Sequence, residues 1–306
     1  MLAGVCSITY VNLHRVHCPN PECGESVLSY ARNCHVCQED VGYPNIRAAE
    51  AESSALEARW AEARTSAEDR GCLKIVERFR TAVNHSKAVL CRSLGQVLNL
   101  VSSDNELYAT FYGLVRAEAR LPEDTMIERE RLLADDLLFP HYKDAIRFAA
   151  LSLNGKGVTH YGRCSVVLTD ASVRRRATVF EKNSVDFCRE HGLGFGNLNS
   201  SARIPAGYRA IWEERGKLAA AKVQSIITSA TSEQGFPRVL LDDDLPDFVE
   251  VHIYGPLHRR AIESINISGG GHPSDEALML EIERRSAEAG VSVGRSGRTE
   301  NNDPQA

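Results

Sequence analysis

The stretch "DFVEVHIYGPL", residues 247–257, decides the fold of the C-terminal half of the chain. Its side chains alternate, with Val249, Val251 and Ile253 on one face and Glu250, His252 and Tyr254 on the other. So many β-branched and aromatic residues predict a strand that is at least half buried. The carboxylate and the imidazole then share one side of the sheet. The ordinary interpretation is an edge strand with a solvated face, and the functional one is a catalytic pair.

Composition sets broad limits on the kind of protein. The chain has 306 residues, 43% of them hydrophobic, and a net charge of -5, which gives no general affinity for nucleic acid or anionic membranes. It shows neither a long apolar run nor a basic leader before one, so we expect no membrane span and no signal peptide. Nine cysteines, an odd number with five scattered among apolar neighbours, favour a reduced, cytoplasmic protein.

The N-terminal stretch "HCPNPECGESVLSYARNCHVCQED", residues 17–40, has the spacing of a metal site. Two pairs, Cys18-x4-Cys23 and Cys34-x2-Cys37, are joined by ten residues, which suits a tetrahedral zinc ion. Four thiolates leave no open coordination position, so we expect a structural zinc ribbon over residues 1–44, with His17 and His35 as substitute ligands. Such ribbons bind nucleic acid or protein, or brace a neighbouring domain, and the ligands do not distinguish these roles.

Residues 45–140 have helical periodicity and predict a hairpin or linker region. Asn45 is a candidate N-cap, and apolar stripes run through residues 49–67 and 72–101 like an α-hairpin or short coiled coil. This pair would mediate homodimerisation or bind a partner such as an antitoxin, or it would pack on the next domain as a spacer. Further helices are expected at 106–120, 122–138 and 141–153.

Residues 141–293 predict a mixed α+β domain. Strands are expected at 164–168, near 177–180 and at 247–257, with Asn183 and Ser184 capping a short helix. Helices are expected within 208–230 and at 274–289, followed by a short strand and a disordered tail, 294–306. The glycine-rich loop after residue 191 lacks the spacing of a nucleotide fingerprint.

Three segments resemble the ordered core of bacterial ADP-ribosyltransferase-like toxin domains. They are "THYGRCSVVL" (159–168), "ATVFEKNSVDF" (177–187) and "DFVEVHIYGPLHRRAIESI" (247–265), within a match of roughly residues 150–267. The resemblance implies an α+β fold with a split β-sheet core that uses nicotinamide adenine dinucleotide (NAD). A late strand of that fold supplies a catalytic glutamate, often in a doublet. The middle motif here is "NS", and the doublet is Glu-x-His.

The resemblance also implies residue roles. Glu250 would stabilise the ribosyl cation, His252 would orient or deprotonate the acceptor, and Ser184 would bind the sugar or Glu250. The dinucleotide would be held by residues of the first two segments: His160, Tyr161, Arg163, Asn183 and Ser184. Tyr161 would stack on the nicotinamide and Arg163 would pair with phosphates. Whether Arg163 or the His160–Tyr161 pair takes the early-strand role stays open.

Two functions follow from these expectations. One is NAD-dependent transfer of ADP-ribose to a macromolecule, as in a toxin or defence effector, with nucleic acid slightly favoured over protein because of the ribbon and the basic triplet 174–176. The other is a non-catalytic zinc-ribbon adaptor that binds protein or nucleic acid. An enzyme requires Glu250 in a concave site with Tyr161 and Ser184, whereas an adaptor requires a flat or filled surface there.

Overall fold

The computed structural model describes residues 15–105, 108, 112, 126–193, 203–242, 247–269 and 273–296. Within these ranges the protein is a mixed α+β structure around a large sheet. The strands are β1 Arg15–His17, β2 Ser26–Leu28, β3 Lys87–Arg92, β4 Ile146–Ser152, β5 Cys164–Leu168, β6 Ala177–Phe180, β7 Arg209–Ile211, β8 Leu241–Asp242, β9 Asp247–Phe248, β10 Glu250–Tyr254, β11 Ile262–Ser268 and β12 Ser292–Ser296. The helices are α1 Pro44–Glu50, α2 Ser53–Asp69, α3 Leu73–Val83, α4 Leu94–Ser102, α5 Met126–Leu138, α6 Asp170–Val173, α7 Ser184–Glu190, α8 Arg215–Val223, α9 Phe236–Leu240 and α10 Pro273–Glu288.

Eight strands form the large sheet in the order β12-β11-β5-β3-β4-β10-β6-β7. All neighbours are antiparallel except β11 and β12, which are parallel. The opening stretch forms β10 in the middle of this sheet, between β4 and β6. The expectation of an edge strand is therefore wrong: Glu250 and His252 are each only 2% exposed.

All eight strands belong to one hydrogen-bonded sheet, in place of the expected split core. Within this sheet, β3 and β4 pair over a short distance only. β3 pairs with β4 through Lys87–Val89 and with β5 through Val89–Arg92. Beyond Val89 the edge of β3 that faced β4 has no strand partner among the described residues, so the sheet parts at this point. Cys91 and Arg92 on one side and Phe148 and Ala149 on the other border the resulting opening.

The two faces of the sheet carry separate cores. Val249, Val251 and Ile253 point into the main core, which also contains residues of α2, α3, α4 and α8. Glu250, His252 and Tyr254 face the other way, beside a smaller aromatic cluster built around Phe139, Phe180 and Phe187. The alternation expected from the sequence is thus present, with protein covering both faces.

Two predicted helices each contain a strand in the structure. The helix expected through residues 72–101 is interrupted by β3, because α3 ends at Val83 and α4 starts after a capping box at Ser93. The helix expected at 141–153 is mostly β4. Both strands are short apolar runs buried on both faces, and such a run cannot be distinguished from a buried helical turn by periodicity.

Smaller corrections concern element ends. Tyr43, not Asn45, is the N-cap of α1, and the Asn45 side chain instead donates to the carbonyls of Arg176 and His252. The helix expected within 208–230 is shorter, because β7 and a 3₁₀ turn precede α8. The disordered tail was expected from 294, but β12 extends to Ser296.

The remaining helix predictions differ in outcome. The predicted helix 122–138 is confirmed over α5, the one at 274–289 corresponds to α10, and the helix expected at 106–120 lies outside the described residues except for isolated positions.

The apolar stripes of α2 and α3 are covered by the same chain. Trp60, Val76 and Phe79 are at most 5% exposed and belong to the main core, where α2 and α3 pack against α8. This matches the alternative in which the helix pair packs on the neighbouring domain, so these side chains are not available as a partner surface.

The central position of β3 generates a stability prediction. Leu90 is 1% exposed in the main core, so Leu90→Asp buries a carboxylate without a partner and should cost at least about 4 kcal/mol. Leu280→Asp is the control, because Leu280 lies on α10 with 55% of its surface exposed. Thermal melting compares the two. Equal melting temperatures for wild type and Leu90→Asp would show that β3 is wrongly placed.

Candidate functional site

A cavity of about 530 Å³ lies where the sheet parts, with Glu250 in its wall. This volume falls within the range of small-molecule sites, about 300–1,000 Å³. Aromatic side chains and arginines line it together: Tyr108, Tyr112, Phe148, Tyr161, Phe248, Arg92, Arg131, Arg147 and Arg189. Four carboxylates also line it, Glu128, Asp135, Asp186 and Glu250, of which Asp135 and Glu250 are buried. A concave wall of rings and guanidinium groups suits a ligand with flat rings and negative groups.

Glu250 is held from three directions. Its Oε2 accepts a hydrogen bond from the Ser184 amide at 3.1 Å and lies 3.0 Å from Nε2 of His252. Its Oε1 accepts from Nη1 and Nη2 of Arg131 at 3.3 and 3.4 Å. The carboxylate is therefore fixed in orientation although it projects from a strand in the middle of the sheet.

These partners also fix the charge of Glu250. Burial by itself would raise the pKa of this carboxyl, but chiefly Arg131 and His252 lower it to about 2. Glu250 is therefore ionised at neutral pH. A carboxylate with so low a pKa is a poor general base, and it is well suited to stabilise a positive charge that develops beside it.

His252 lies beneath Glu250, away from the cavity. It is 2% exposed, and the rings of Phe139, Phe148 and Phe180 surround it at centroid distances of 4.8, 5.4 and 5.8 Å. It is not among the cavity-lining residues. The expectation that His252 contacts an acceptor does not fit this placement, and its visible contact is with Glu250.

Asn183 and Ser184 lie at the start of α7, next to Glu250. The Asn183 side chain caps the helix by accepting from the amides of Val185 and Asp186, as predicted, and it also lines the cavity. Ser184 contributes its amide, one of the helix-end donors that lack an intrahelical partner. Its hydroxyl is buried without a hydrogen-bond partner among the described residues, and Ser184 is not among the residues that line the cavity.

His160 and Tyr161 lie at the mouth of the cavity on a 3₁₀ turn, Thr159–Tyr161. The Tyr161 ring is 48% exposed, and its hydroxyl accepts from Asn183 at 3.3 Å. The turn lies against β3: at Gly162, with φ of +144°, a Cβ would approach the Arg92 backbone to 2.2 Å. Glycine is thus required for the close approach that places Tyr161 across the opening from Glu250.

Arg163 lies away from the cavity. It pairs with Asp275 of α10 at 2.6 Å and donates to the carbonyls of Ser268 and Gly269. This placement does not fit its expected role in binding phosphates. Arg92, at the end of β3, occupies the cavity wall instead, with its guanidinium 4.8 Å from the Tyr108 ring centroid. Burial lowers the pKa of Arg92 to about 10, which leaves it charged at neutral pH.

Sequence reasoning missed Arg131 as well. Its Nε lies 3.3 Å from Asp135, one helical turn later on α5, and Asp135 in turn accepts from the Tyr112 hydroxyl at 2.6 Å. Arg131 and Asp135 have the i,i+4 spacing of an ordinary helix ion pair. Only the 1% exposure of the Asp135 side chain marks the pair as unusual, and the sequence does not reveal that burial.

The four predicted metal ligands come together in the N-terminal hairpin. The sulfur atoms of Cys18, Cys23, Cys34 and Cys37 all lie within 4.8 Å of one another. Two of the separations are 3.5 and 3.8 Å, and a tetrahedron with Zn–S bonds of about 2.3 Å has edges of about 3.8 Å. The amides of Cys37 and Val36 lower the pKa of Cys34 to about 7, which favours a thiolate. The cluster can therefore hold a metal ion.

The cysteine hairpin is attached to the strand that carries Glu250. Arg47 of α1 donates to the carbonyls of Ser29, Ala31, Val41 and Gly42, and so joins the hairpin to that helix. Two residues earlier, Asn45 binds the carbonyl of His252 on β10. The hairpin thus braces α1, which contacts β10 directly.

In comparisons with known proteins, no family model matches the chain, and no curated protein matches its sequence. The resemblance to ADP-ribosyltransferase-like domains therefore stays a prediction. Among the described helices, none is both long enough and apolar enough to cross a membrane.

The low pKa of Glu250 predicts a pH dependence of stability. The folded-state pKa of about 2 lies below the ordinary value of 4.5. The carboxylate therefore contributes stability above about pH 4.5. That contribution is lost as the pH falls towards 2.

Glu250→Gln should cost up to roughly 3 kcal/mol at pH 7 and almost nothing near pH 2. Urea unfolding at pH values between 2 and 7 measures the difference. A difference that does not change with pH would contradict the ionised, paired state of Glu250.

The cysteine cluster predicts a metal content. We expect about one zinc per chain by elemental analysis, and Cys34→Ser should lower that content together with the melting temperature. Cys72→Ser is the control, because Cys72 is buried in the main core apart from the cluster, and it should retain the metal. Absence of zinc from anaerobically purified protein would refute the metal assignment.

Proposed function

We propose that the protein transfers ADP-ribose from NAD to a macromolecular acceptor. The observation that carries this proposal is an ionised, buried carboxylate, Glu250, in the wall of a cavity that also contains aromatic rings and arginines. Glu250 and Tyr161 both line this cavity, as an enzyme of this kind requires, whereas Ser184 does not line it. Ser184 contributes through its amide only.

The chemistry explains why the charge of Glu250 matters. The bond between ribose C1′ and the nicotinamide nitrogen breaks, nicotinamide leaves with the electron pair as a neutral molecule, and C1′ becomes cation-like. A fixed carboxylate close to C1′ stabilises that cation without reorganising, and it can hold the ribose 2′-hydroxyl. An oxygen or nitrogen of the acceptor then bonds to C1′ and releases its proton to solvent.

The cavity offers suitable surfaces for the dinucleotide. Tyr161 at the mouth and Phe248 within present rings for stacking, with centroids 6.3 Å apart. Arg92 replaces Arg163 as the proposed partner of the phosphates, since it is charged, lines the cavity, and pairs with no carboxylate among the described residues. Asn183 and His160 border the same space.

His252 acts as a positioning residue in this proposal. Its Nε2 faces Glu250 Oε2 at 3.0 Å inside an aromatic enclosure, so it sets the orientation and the charge of the carboxylate. The role first expected for His252 was to orient the acceptor or take its proton. His160, Glu128 and Asp186 line the cavity, and that role is assigned to none of them.

The cysteine cluster and the basic residues bear on the cellular location of the protein and on the class of acceptor. A zinc ion in the cysteine cluster would be structural, because four thiolates complete its coordination. Thiolate ligands need reduced cysteines, which supports a cytoplasmic location. The ribbon and the basic triplet 174–176 slightly favour nucleic acid over protein as the acceptor. Within that triplet, Arg174 pairs with Glu213, and Arg176 donates to backbone carbonyls. A non-catalytic adaptor has no use for a buried carboxylate inside a cavity, and this disfavours the alternative.

The test is nicotinamide release and label transfer from NAD labelled in the adenylate, with total lysate as the acceptor source. Glu250→Gln keeps the shape of the side chain and should lower the rate by about 100- to 1,000-fold. Glu263→Gln is the matched control, because Glu263 is a partly exposed strand residue paired with Lys87 and lies outside the cavity lining. Full activity of Glu250→Gln would refute the role of Glu250. No consumption of NAD by wild type with any acceptor would favour the adaptor.

The same assay distinguishes the two arginines. Arg92→Ala should raise the KM for NAD by about tenfold or more, because it removes the cation that faces the phosphates. Arg163→Ala should leave KM unchanged at a temperature at which the variant is folded, since Arg163 joins α10 to the sheet. The opposite pattern would return the phosphate role to Arg163.

A further inference from the structure

Arg131 occupies a defined position between a carboxylate and an aromatic face. Its Nη1 and Nη2 lie 3.3 and 3.4 Å from Glu250 Oε1, and its guanidinium carbon lies 3.9 Å from the centroid of the Phe148 ring. Phe148 is the cross-strand neighbour of His252 on β4, two residues from Ala150, which is the cross-strand neighbour of Glu250. A planar cation is thus bound by charge on one side and by a π face on the other.

The contacts of Glu250 divide unequally between its two oxygens. Oε2 is bound by the backbone amide of Ser184 and by the enclosed His252, neither of which lines the cavity. Among the described residues Oε1 is bound by Arg131 alone, through two long hydrogen bonds. The Arg131 side chain is 25% exposed, against 3% for Glu250. Oε1 is therefore the oxygen that a ligand can reach, and Arg131 is the group in its way.

Arg131 has a second anionic partner that would remain if it left Oε1. Its Nε lies 3.3 Å from Asp135 Oδ1, and the Tyr112 hydroxyl holds the other oxygen of Asp135 at 2.6 Å. A rotation of the guanidinium away from Glu250 therefore does not leave the cation unpaired. Displacement costs less than breaking an isolated buried pair would.

We propose that Glu250 Oε1 and the Phe148 ring form a binding site for planar aromatic cations, which Arg131 occupies until a ligand displaces it towards Asp135. This cation site rests on the proposed function in one respect, that the physiological ligand is the nicotinamide end of oxidised NAD. A guanidinium and a pyridinium share the features the site recognises, since both are flat, delocalised and weakly hydrated.

Competition between Arg131 and the ligand has a measurable consequence. The apparent affinity of a ligand is its intrinsic affinity multiplied by the fraction of molecules in which its site is free, so occupation of the site by Arg131 lowers it. Removing Arg131 frees the site and also removes a like charge from beside the bound cation. The first effect increases the affinity of any ring that binds there, whereas the second increases affinity for a cation only.

The test uses 1-methylnicotinamide, a pyridinium that has no sugar to lose, with titration calorimetry on the full chain. Arg131→Gln should bind this probe on the order of tenfold more tightly than wild type, with a smaller gain for neutral nicotinamide. Arg285→Gln is the matched control, because Arg285 also pairs at i,i+4, with Glu281, on a helix outside the cavity. It should bind the probe as wild type does. Unchanged or weaker probe binding by Arg131→Gln would overturn the proposal.

Asp135→Asn is a second test variant, and its expected effect on probe affinity is opposite to that of Arg131→Gln. It removes the alternative partner of Arg131 and should weaken probe binding severalfold, and this effect should vanish in the double variant with Arg131→Gln. Weakening that persists in the double variant would contradict displacement towards Asp135. If Asp135→Asn does not fold, Arg131→Gln and its control still decide the proposal.

Nicotinamide release from NAD separates this proposal from the proposed function. Tighter probe binding by Arg131→Gln without any consumption of NAD would support the cation site and refute the transferase. Consumption of NAD by wild type with unchanged or weaker probe binding by Arg131→Gln would support the transferase and refute the cation site.

Discussion

The buried charge of Glu250 is the constraint on which the rest of the site depends. An ionised carboxylate in the middle of a sheet costs several kcal/mol unless partners compensate it. Three compensate it here: an amide at the start of α7, an imidazole on the same strand and a guanidinium from α5. Each belongs to a different element, so the fold must bring two helices and a strand together at one point.

The parting of β3 from β4 turns that point into a site. If the two strands paired along their full length, the face beside Glu250 would be closed by sheet and covered by α5. Pairing instead ends at Val89, and the 3₁₀ turn with Tyr161 packs against β3 through the close contact at Gly162. The free edge of β4 and the rings around it form a cavity rather than a packed core. The charge of Glu250 is balanced by its partners, but the carboxylate is not fully enclosed by protein. A ligand can therefore reach its Oε1 atom.

The sequence predicted those features that depend on local pattern. Alternation identified β10 and the shared side of Glu250 and His252, the Asx cap identified the start of α7, and cysteine spacing identified the metal cluster. It failed where the pattern was ambiguous, as in β3 and β4, whose continuous apolar runs fit either a helix or a buried strand. It could not find Arg92, Arg131 or Asp135, because nothing in their local sequence indicates which side chains the fold buries together. Arg163, in a segment that resembled the expected motif, instead pairs with Asp275.

The central claim is that the cavity binds the nicotinamide riboside of NAD against Glu250. The most direct measurement is a crystal structure with a carba-dinucleotide, whose ribose ring oxygen is replaced by carbon so that the bond to nicotinamide does not break. We expect the anomeric carbon next to Glu250, the pyridinium over Phe148 in place of Arg131, and the phosphates near Arg92. A dinucleotide bound outside the cavity, or an empty cavity at saturating analogue, would contradict the account.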